Sequence, residues 1–462
     1  MTSRDTIPQT LDNDPELDAF LAAECGRLSV PGCAVGVLAG GRSIAAFYGV
    51  TDVDHPLPVD AGTLFLIGST TKTLTATTVM ALVHEGRLSL DDLVISHLPE
   101  LELREPAARG TVTVGHLLDH TAGWRGDIEI DTGWGDDAVA RALPEIAAHV
   151  PQVFAPGAMA SYNNLSLVIA GRLIERIAGQ SYEAAVRDRV LMPLGMTETF
   201  FFPWEVATRC IATGHVTRGD ALVPSYVWPT TRGMGPAGGA ISTVRDQLRY
   251  ARFHLDGTAA GTPPIPDALR EQMQQPRVTL PANLTGIGLS WLLNDRGGLR
   301  TVAHGGNNSN LFVSSFTLAP DEGFAITVLT NSRGGGSLGA TLSEWAFERF
   351  LGRAAAPSPP TLPVTEQLLA EYVGRYDAGQ WDLDVTARDG KLFIQMQLTD
   401  VAPDTPEDIR AAFTAPPSEY VLTAQDVLAP ATAPGLSSGD FIRDADGRVG
   451  WLRQGMRVAR RR

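Results

Sequence analysis

Ten residues, Ala354 to Pro363 (AAAPSPPTLP), constrain this chain more than any others. A run so rich in proline continues neither a helix nor a central strand, and it reads as a linker. The texture differs on its two sides. Before it, helical and strand-like patterns mix. Glu16 to Leu28 carries Leu17, Phe20, Leu21, Cys25 and Leu28 at helical spacing. Cys33 to Leu38 and Ser43 to Gly49 are strand-like runs joined by Ala39-Gly40-Gly41-Arg42, a hairpin signal. Leu90 to about Met234 reads as mostly helical. A helix over Val244 to His254 follows, then strands over Ser309 to Leu318 and Phe324 to Thr330, then a helix over Leu338 to Leu351. After the linker, Trp381 to Thr386 and Lys391 to Gln397 alternate apolar and polar around Arg388-Asp389-Gly390, and Phe441 to Leu452 repeats the pattern around Asp446-Gly447. A chain of 462 residues needs more than one core. The expected organisation is residues 1–353 with a helical insert over about 90–234, a linker at 354–363, and a separate antiparallel β unit at 364–462.

The net charge of −15 argues against nucleic acid and anionic membrane surfaces as partners. Val30 to Gly40 is too short to span a bilayer, and no later run is long and apolar enough. Met1 to Glu16 is polar and acidic, without the basic and apolar regions of a signal peptide. The cysteines are Cys25, Cys33 and Cys210, an odd, sparse set that suggests free thiols. A cytoplasmic location is the resulting expectation.

Of 37 basic side chains only Lys72 and Lys391 are lysines. Lys72 follows Ser69 by one helical turn in Gly68-Ser69-Thr70-Thr71-Lys72. Arginine stays protonated near neutral pH, whereas a buried lysine can lose its proton, so this position suits a base. Serine is a poor nucleophile unless a base lies within hydrogen-bond reach. Leu74, Val79, Leu82 and Val83 give the following segment an apolar face. Its other residues are mostly Thr and Ala, so a buried helix is expected with Ser69 at its start. His116 and His120, four apart, invite a metal reading. No Glu follows the first His and no third ligand is evident, so no metal or cofactor is expected.

Further motifs appear in order: Phe65-x-Ile67-Gly68-Ser69-x-x-Lys72, His116-Leu117-Leu118-x-His120-Thr121-x-Gly123, Pro156-Gly157 with Tyr162-x-Asn164, Pro193-Leu194-Gly195-Met196, Gly238-Gly239, and His304-Gly305-Gly306 with Leu329-Thr330-Asn331. The ordered set resembles the serine β-lactamase/penicillin-binding-protein superfamily, in its class C-like branch, over roughly residues 16 to 352. The resemblance implies an α/β fold in which an antiparallel sheet is flanked by helices and joined by a helical insert. It implies a Ser69 nucleophile, acid–base roles shared by Lys72 and Tyr162, and an Asn164 that orients Lys72. The oxyanion hole would use the Ser69 N–H and the Asn307 N–H beside Gly306. Trp124 is a candidate pocket residue. His304 stands where class C β-lactamases and D,D-peptidases usually carry lysine, and an imidazole neutral at pH 7 anchors a carboxylate poorly. That shifts the expectation from β-lactams toward small esters, amides or short peptides, including peptides with a D-residue.

Glu371-Tyr372-x-Gly374-x-Tyr376 resembles the entry to the lipocalin-like β domain of some relatives, so a small β-barrel-like domain is expected. Two other readings stand beside the hydrolase. One is a cytoplasmic thioesterase or acyl transferase of natural-product assembly; the other is a non-catalytic sensor or scaffold. A homo-oligomer is left open.

Overall fold

The structure, a computed structural model, describes residues 11–128, 130–219, 221–281, 284–354, 359–379, 381–398, 416–432 and 439–462. Residues 355–358 of the expected linker lie outside the described residues. Packing divides the chain into two compact units. The second contains the C-terminal region from residue 356 together with two short segments, 157–162 and 279–285; the first contains the rest.

The first unit is built on an antiparallel sheet. Its strands run in the spatial order Arg42–Gly49, Gly32–Ala39, Phe324–Thr330, Phe312–Ala319, Arg300–Ala303, Leu292–Asp295, with Gly306–Asn308 paired onto Phe312–Ala319. Both Gly32–Ala39 and Phe324–Thr330 are buried along their whole length, as expected of central strands covered on both faces. The terminal helices Pro15–Leu28 and Gly335–Leu351 bury Leu17, Leu21, Leu338, Leu342 and Phe347 with Val35, Val37 and Ile326 of these strands. Asp14 caps the first helix, accepting from the Glu16 and Leu17 amides at 3.0 and 3.1 Å. The helix Val244–Asp256 packs on the same two central strands. Its Val244 and Leu248 fill the space left by Gly36, where a Cβ would lie 2.7 Å from Val244 Cγ2.

The helix Thr71–His84 is buried from Thr71 to Leu82. A helix buried on every face must satisfy its polar groups internally or through neighbours. Thr73, Thr77 and Thr78 donate to carbonyls one turn back, at 2.8, 2.9 and 2.9 Å. Thr75 reaches the Tyr182 hydroxyl at 2.8 Å and the Pro236 carbonyl at 2.7 Å, and Thr77 lies 2.9 Å from the Tyr250 hydroxyl. Burial raises both phenols well above their ordinary pKa, so they serve as neutral hydrogen-bonding groups. The helix Asn164–Ala178 packs beside this one.

Two local expectations change. Ser309 and Asn310 adopt left-handed φ values of 52° and 57°, so they form a turn, and the expected strand begins at Phe312. The hairpin Gly214–Arg218/Ala221–Ser225 interrupts the region read as helical; its tip residues Thr217, Arg218 and Ala221 are exposed, and it carries little apolar alternation.

The second unit is a closed antiparallel barrel of eight strands: Gly374–Asp377, Trp381–Arg388, Lys391–Leu398, Ser418–Ala424, Val427–Pro430, Gly439–Arg443, Val449–Gln454 and Arg457–Arg461. Pairing of Tyr376 with Arg461 closes it and removes the exposed edges of an open sheet. Its core gathers Tyr372, Tyr376, Leu383, Leu392, Leu428, Phe441 and Leu452. The Tyr376 hydroxyl donates to the Tyr372 carbonyl at 2.7 Å.

Candidate active site

Ser69 sits in a 3-10 turn, Gly68–Thr70, that feeds directly into the buried helix. The turn depends on Gly68, whose φ is +50°. A Cβ on Gly68 would lie 2.6 Å from the Asn307 amide nitrogen, so glycine is what lets the two segments meet. Thr71 locks the turn by donating to the Gly68 carbonyl at 2.7 Å, while its hydroxyl accepts from the Ala240 amide at 3.1 Å.

Lys72 is 0% exposed. Its Nζ donates to Ser69 Oγ at 2.9 Å and to the Ala237 carbonyl at 2.7 Å. The turn-plus-helix geometry thus turns the Ser-x-x-Lys spacing into direct contact. Ala237 directly precedes the Gly238-Gly239 motif, and a backbone acceptor of this kind leaves no trace in side-chain identity.

The strand Gly306–Asn308 closes in from the other side. A Cβ on Gly306 would fall 1.9 Å from the Ile67 carbonyl oxygen and 2.6 Å from Ser314 Oγ. Ser314 Oγ donates to that carbonyl at 2.8 Å and lies 3.0 Å from the Thr70 hydroxyl, which reaches the His304 carbonyl at 3.3 Å. Asn308 Nδ2 donates to the Gly238 carbonyl at 3.1 Å. These contacts tie the serine turn to the His304-Gly305-Gly306 segment, and sequence reading missed Thr70, Ser314 and Asn308. The Asn307 side chain turns to its own loop, donating to Asn310 Oδ1 at 2.9 Å, which leaves its main chain as the part facing Gly68.

His304 is buried, with Nδ1 2.6 Å from the Gly305 carbonyl. Burial, reinforced by the Lys72 charge, pushes its pKa down to about 3. The imidazole is therefore neutral at physiological pH.

Asn163 caps the helix Asn164–Ala178 through the Ser166 amide at 2.8 Å. It also accepts from Trp124 Nε1 at 3.2 Å and donates to the Trp124 carbonyl at 2.6 Å. Its own amide donates to His120 Nδ1 at 3.2 Å, which assigns the imidazole proton to Nε2. Trp124 is 2% exposed, so it braces Asn163 and presents almost no surface. Asn164 Nδ2 donates to Asp127 Oδ1 at 3.1 Å, and its amide donates to the Gly126 carbonyl. Ser69, Lys72, His304, Gly306 and Asn307 thus assemble within one unit, and Asn164 opens a helix of that unit. Tyr162 packs with the second unit.

The Beta-lactamase family model matches residues 17–348. Penicillin-binding protein 4 of Amycolatopsis lactamdurans is 34% identical over 339 residues, covering 72% of this chain and 87% of that protein. The crystal structure of SurE covers 97% of this chain and 98% of its own, at 27% identity and a TM-score of 0.74; its complex with D-Leu aligns with a TM-score of 0.72. D-amino acid amidase from Ochrobactrum anthropi SV3 covers 71% of this chain and 96% of its own at 22% identity and a TM-score of 0.60, a likeness of fold alone. The chain belongs to the β-lactamase/penicillin-binding-protein family of serine hydrolases, which act on amides or esters. Among the described residues, no helix is long and apolar enough to cross a membrane.

Proposed function

We propose that this chain works through an acyl-enzyme on Ser69, formed from a small ester or amide whose acyl part includes a D-residue. The observation that carries the reading is the 2.9 Å contact of a fully buried lysine with Ser69 Oγ. Ser69 Oγ attacks the carbonyl carbon and passes its proton to the Lys72–Tyr162 pair, two coupled groups that act as one base. The Ser69 and Asn307 amides hold the developing oxyanion. Collapse expels the leaving group, which takes up the proton, and water then releases the acid.

Asn164 and His304 position groups in this scheme. A neutral His304 brings no cation to a substrate carboxylate, which favours esters and amides over β-lactams. D-Leu in the SurE complex supports a D-configured residue. In a second reading an amine, in place of water, accepts the acyl group from Ser69.

The test is turnover of short-chain p-nitrophenyl esters, D-alanyl and L-alanyl p-nitroanilides and nitrocefin by the wild type and Ser69→Ala. Activity on the esters or the D-anilide, abolished in Ser69→Ala, is the expected outcome. Adding a D-amino acid amide separates the two acceptors by product analysis. Folded wild type that turns over none of the panel, alone or with the added amine, sinks the reading.

A further inference from the structure

The segment 157–162 belongs by packing to the barrel unit, although nearly three hundred residues separate it from the strands that hold it. The contacts are specific. The Tyr162 amide donates to the Met456 carbonyl at 2.7 Å. The Val458 amide donates to Ser161 Oγ at 3.2 Å. Arg453 Nη1 donates to the Ala160 carbonyl at 3.2 Å, while its Nε and Nη2 make a two-pronged pair with Asp440 at 2.7 and 2.8 Å. Both partners of that pair are buried, so neither swings freely. The Arg457 guanidinium lies 4.9 Å from the centre of the Tyr162 ring.

The turn that delivers these groups is unusual. Gly455 and Met456 join the strands Val449–Gln454 and Arg457–Arg461 with φ values of +54° and +69°. Two left-handed central residues match the twist of a tight hairpin, but glycine, asparagine and aspartate are the residues that adopt them readily. A methionine held there marks a place where surrounding contacts override local preference. Here the Met456 carbonyl is the acceptor for Tyr162.

We propose that Arg457 is a positioning residue for Tyr162, and that the hairpin around Met456 clamps the Ala160-Ser161-Tyr162 segment so that the phenol is held in its working orientation. The inference rests on the acid–base role given to Tyr162 above. Three hydrogen bonds, at the Tyr162 amide, the Ser161 hydroxyl and the Ala160 carbonyl, fix where the segment lies. The guanidinium, placed over the ring, fixes its tilt.

A double-mutant cycle tests this, read as kcat and KM on the best substrate of the panel. Arg457→Ala is expected to lower kcat by about tenfold with little change in KM. In a Tyr162→Phe background, already much slower, the same change is expected to cost less than about twofold. Arg457→Lys keeps the charge and is expected to recover part of the rate. Arg388→Ala, which removes a guanidinium 3.9 Å from Phe393 on the same barrel, is expected to leave kcat unchanged.

Wild-type kcat in Arg457→Ala overturns the proposal, as does an equal loss in both backgrounds or an equal loss in Arg388→Ala. Full activity in Tyr162→Phe alone removes the role of Tyr162 and the proposal with it. Should Arg457→Ala fail to fold, Arg457→Lys against Tyr162→Phe/Arg457→Lys gives the same cycle.

Discussion

Gly306→Ala probes the construction of the site in a single methyl group. The added Cβ would lie 1.9 Å from the Ile67 carbonyl oxygen, and real Cβ atoms essentially never approach within 3.0 Å. That oxygen is main chain, so no side-chain rotation relieves the overlap. The strand Gly306–Asn308 and the segment entering the serine turn must part by about 1 Å. These two segments carry the Asn307 and Ser69 amides proposed to hold the oxyanion. Such donors act at about 2.7–3.1 Å, and losing one costs about 10²–10³ in kcat. A 1 Å displacement is expected to cost about 100-fold. Stability should fall by about 1–3 kcal/mol from overpacking. Ester turnover and thermal unfolding measured on the same preparation check both numbers. A variant with kcat within about threefold of wild type would refute the claim that this close approach sets the oxyanion geometry.

Lys72→Met removes the amine proposed to share the base role with Tyr162 while keeping the buried stem; kcat should drop about 10³-fold with unfolding nearly unchanged, checked by steady-state kinetics beside circular dichroism. Glu183→Ala breaks the buried two-pronged pair with Arg232 (3.0 and 3.1 Å), and a destabilisation of about 3 kcal/mol is expected by urea unfolding, since Asp136 still faces the guanidinium. His254 and His304 are held neutral chiefly by burial, aided by the Arg270 and Lys72 charges, with pKa values pushed from 6.5 to about 3. Each therefore contributes stability that is present above pH 6.5 and lost progressively as the pH falls toward 3. Asp246 runs the other way: burial, partly offset by Arg249, Thr199 and the Glu198 amide, raises it from 3.8 to about 6, so it costs stability above pH 6 and the cost is relieved as the pH drops. Two histidines outweigh one carboxyl, so the melting temperature should decline from pH 7 to pH 5. His254→Phe should flatten that decline and raise stability at pH 7, because neither ring nitrogen of His254 has a hydrogen-bond partner among the described residues.

The Ser69–Lys72 contact was legible because its signal is local: the two residues lie one turn apart, in a chain almost without lysine. The glycines were legible as motif letters, but not as the reason the Ile67 and Gly306 backbones can touch. The Ala237 acceptor was invisible, since any residue offers a carbonyl. The hydroxyl ladder from Thr70 through Ser314 joins positions 244 residues apart, and nothing in a single sequence pairs them. Asn163 and Asn164 look alike in sequence, yet their partners divide the work: one caps its helix and holds Trp124, the other meets Asp127. The barrel strands Trp381–Arg388, Lys391–Leu398, Gly439–Arg443 and Val449–Gln454 followed from alternation and turn chemistry, whereas the other four strands were not read and the hold of Met456 and Arg457 on Tyr162 is non-local.

The central claim is that Ser69 carries the acyl group. Intact-protein mass spectrometry after treatment with a serine-directed phosphonate, followed by peptide mapping, tests it directly. The account predicts a single adduct on Ser69 in the wild type and none in Ser69→Ala. An unmodified wild type, or equal labelling of Ser69→Ala, would contradict it.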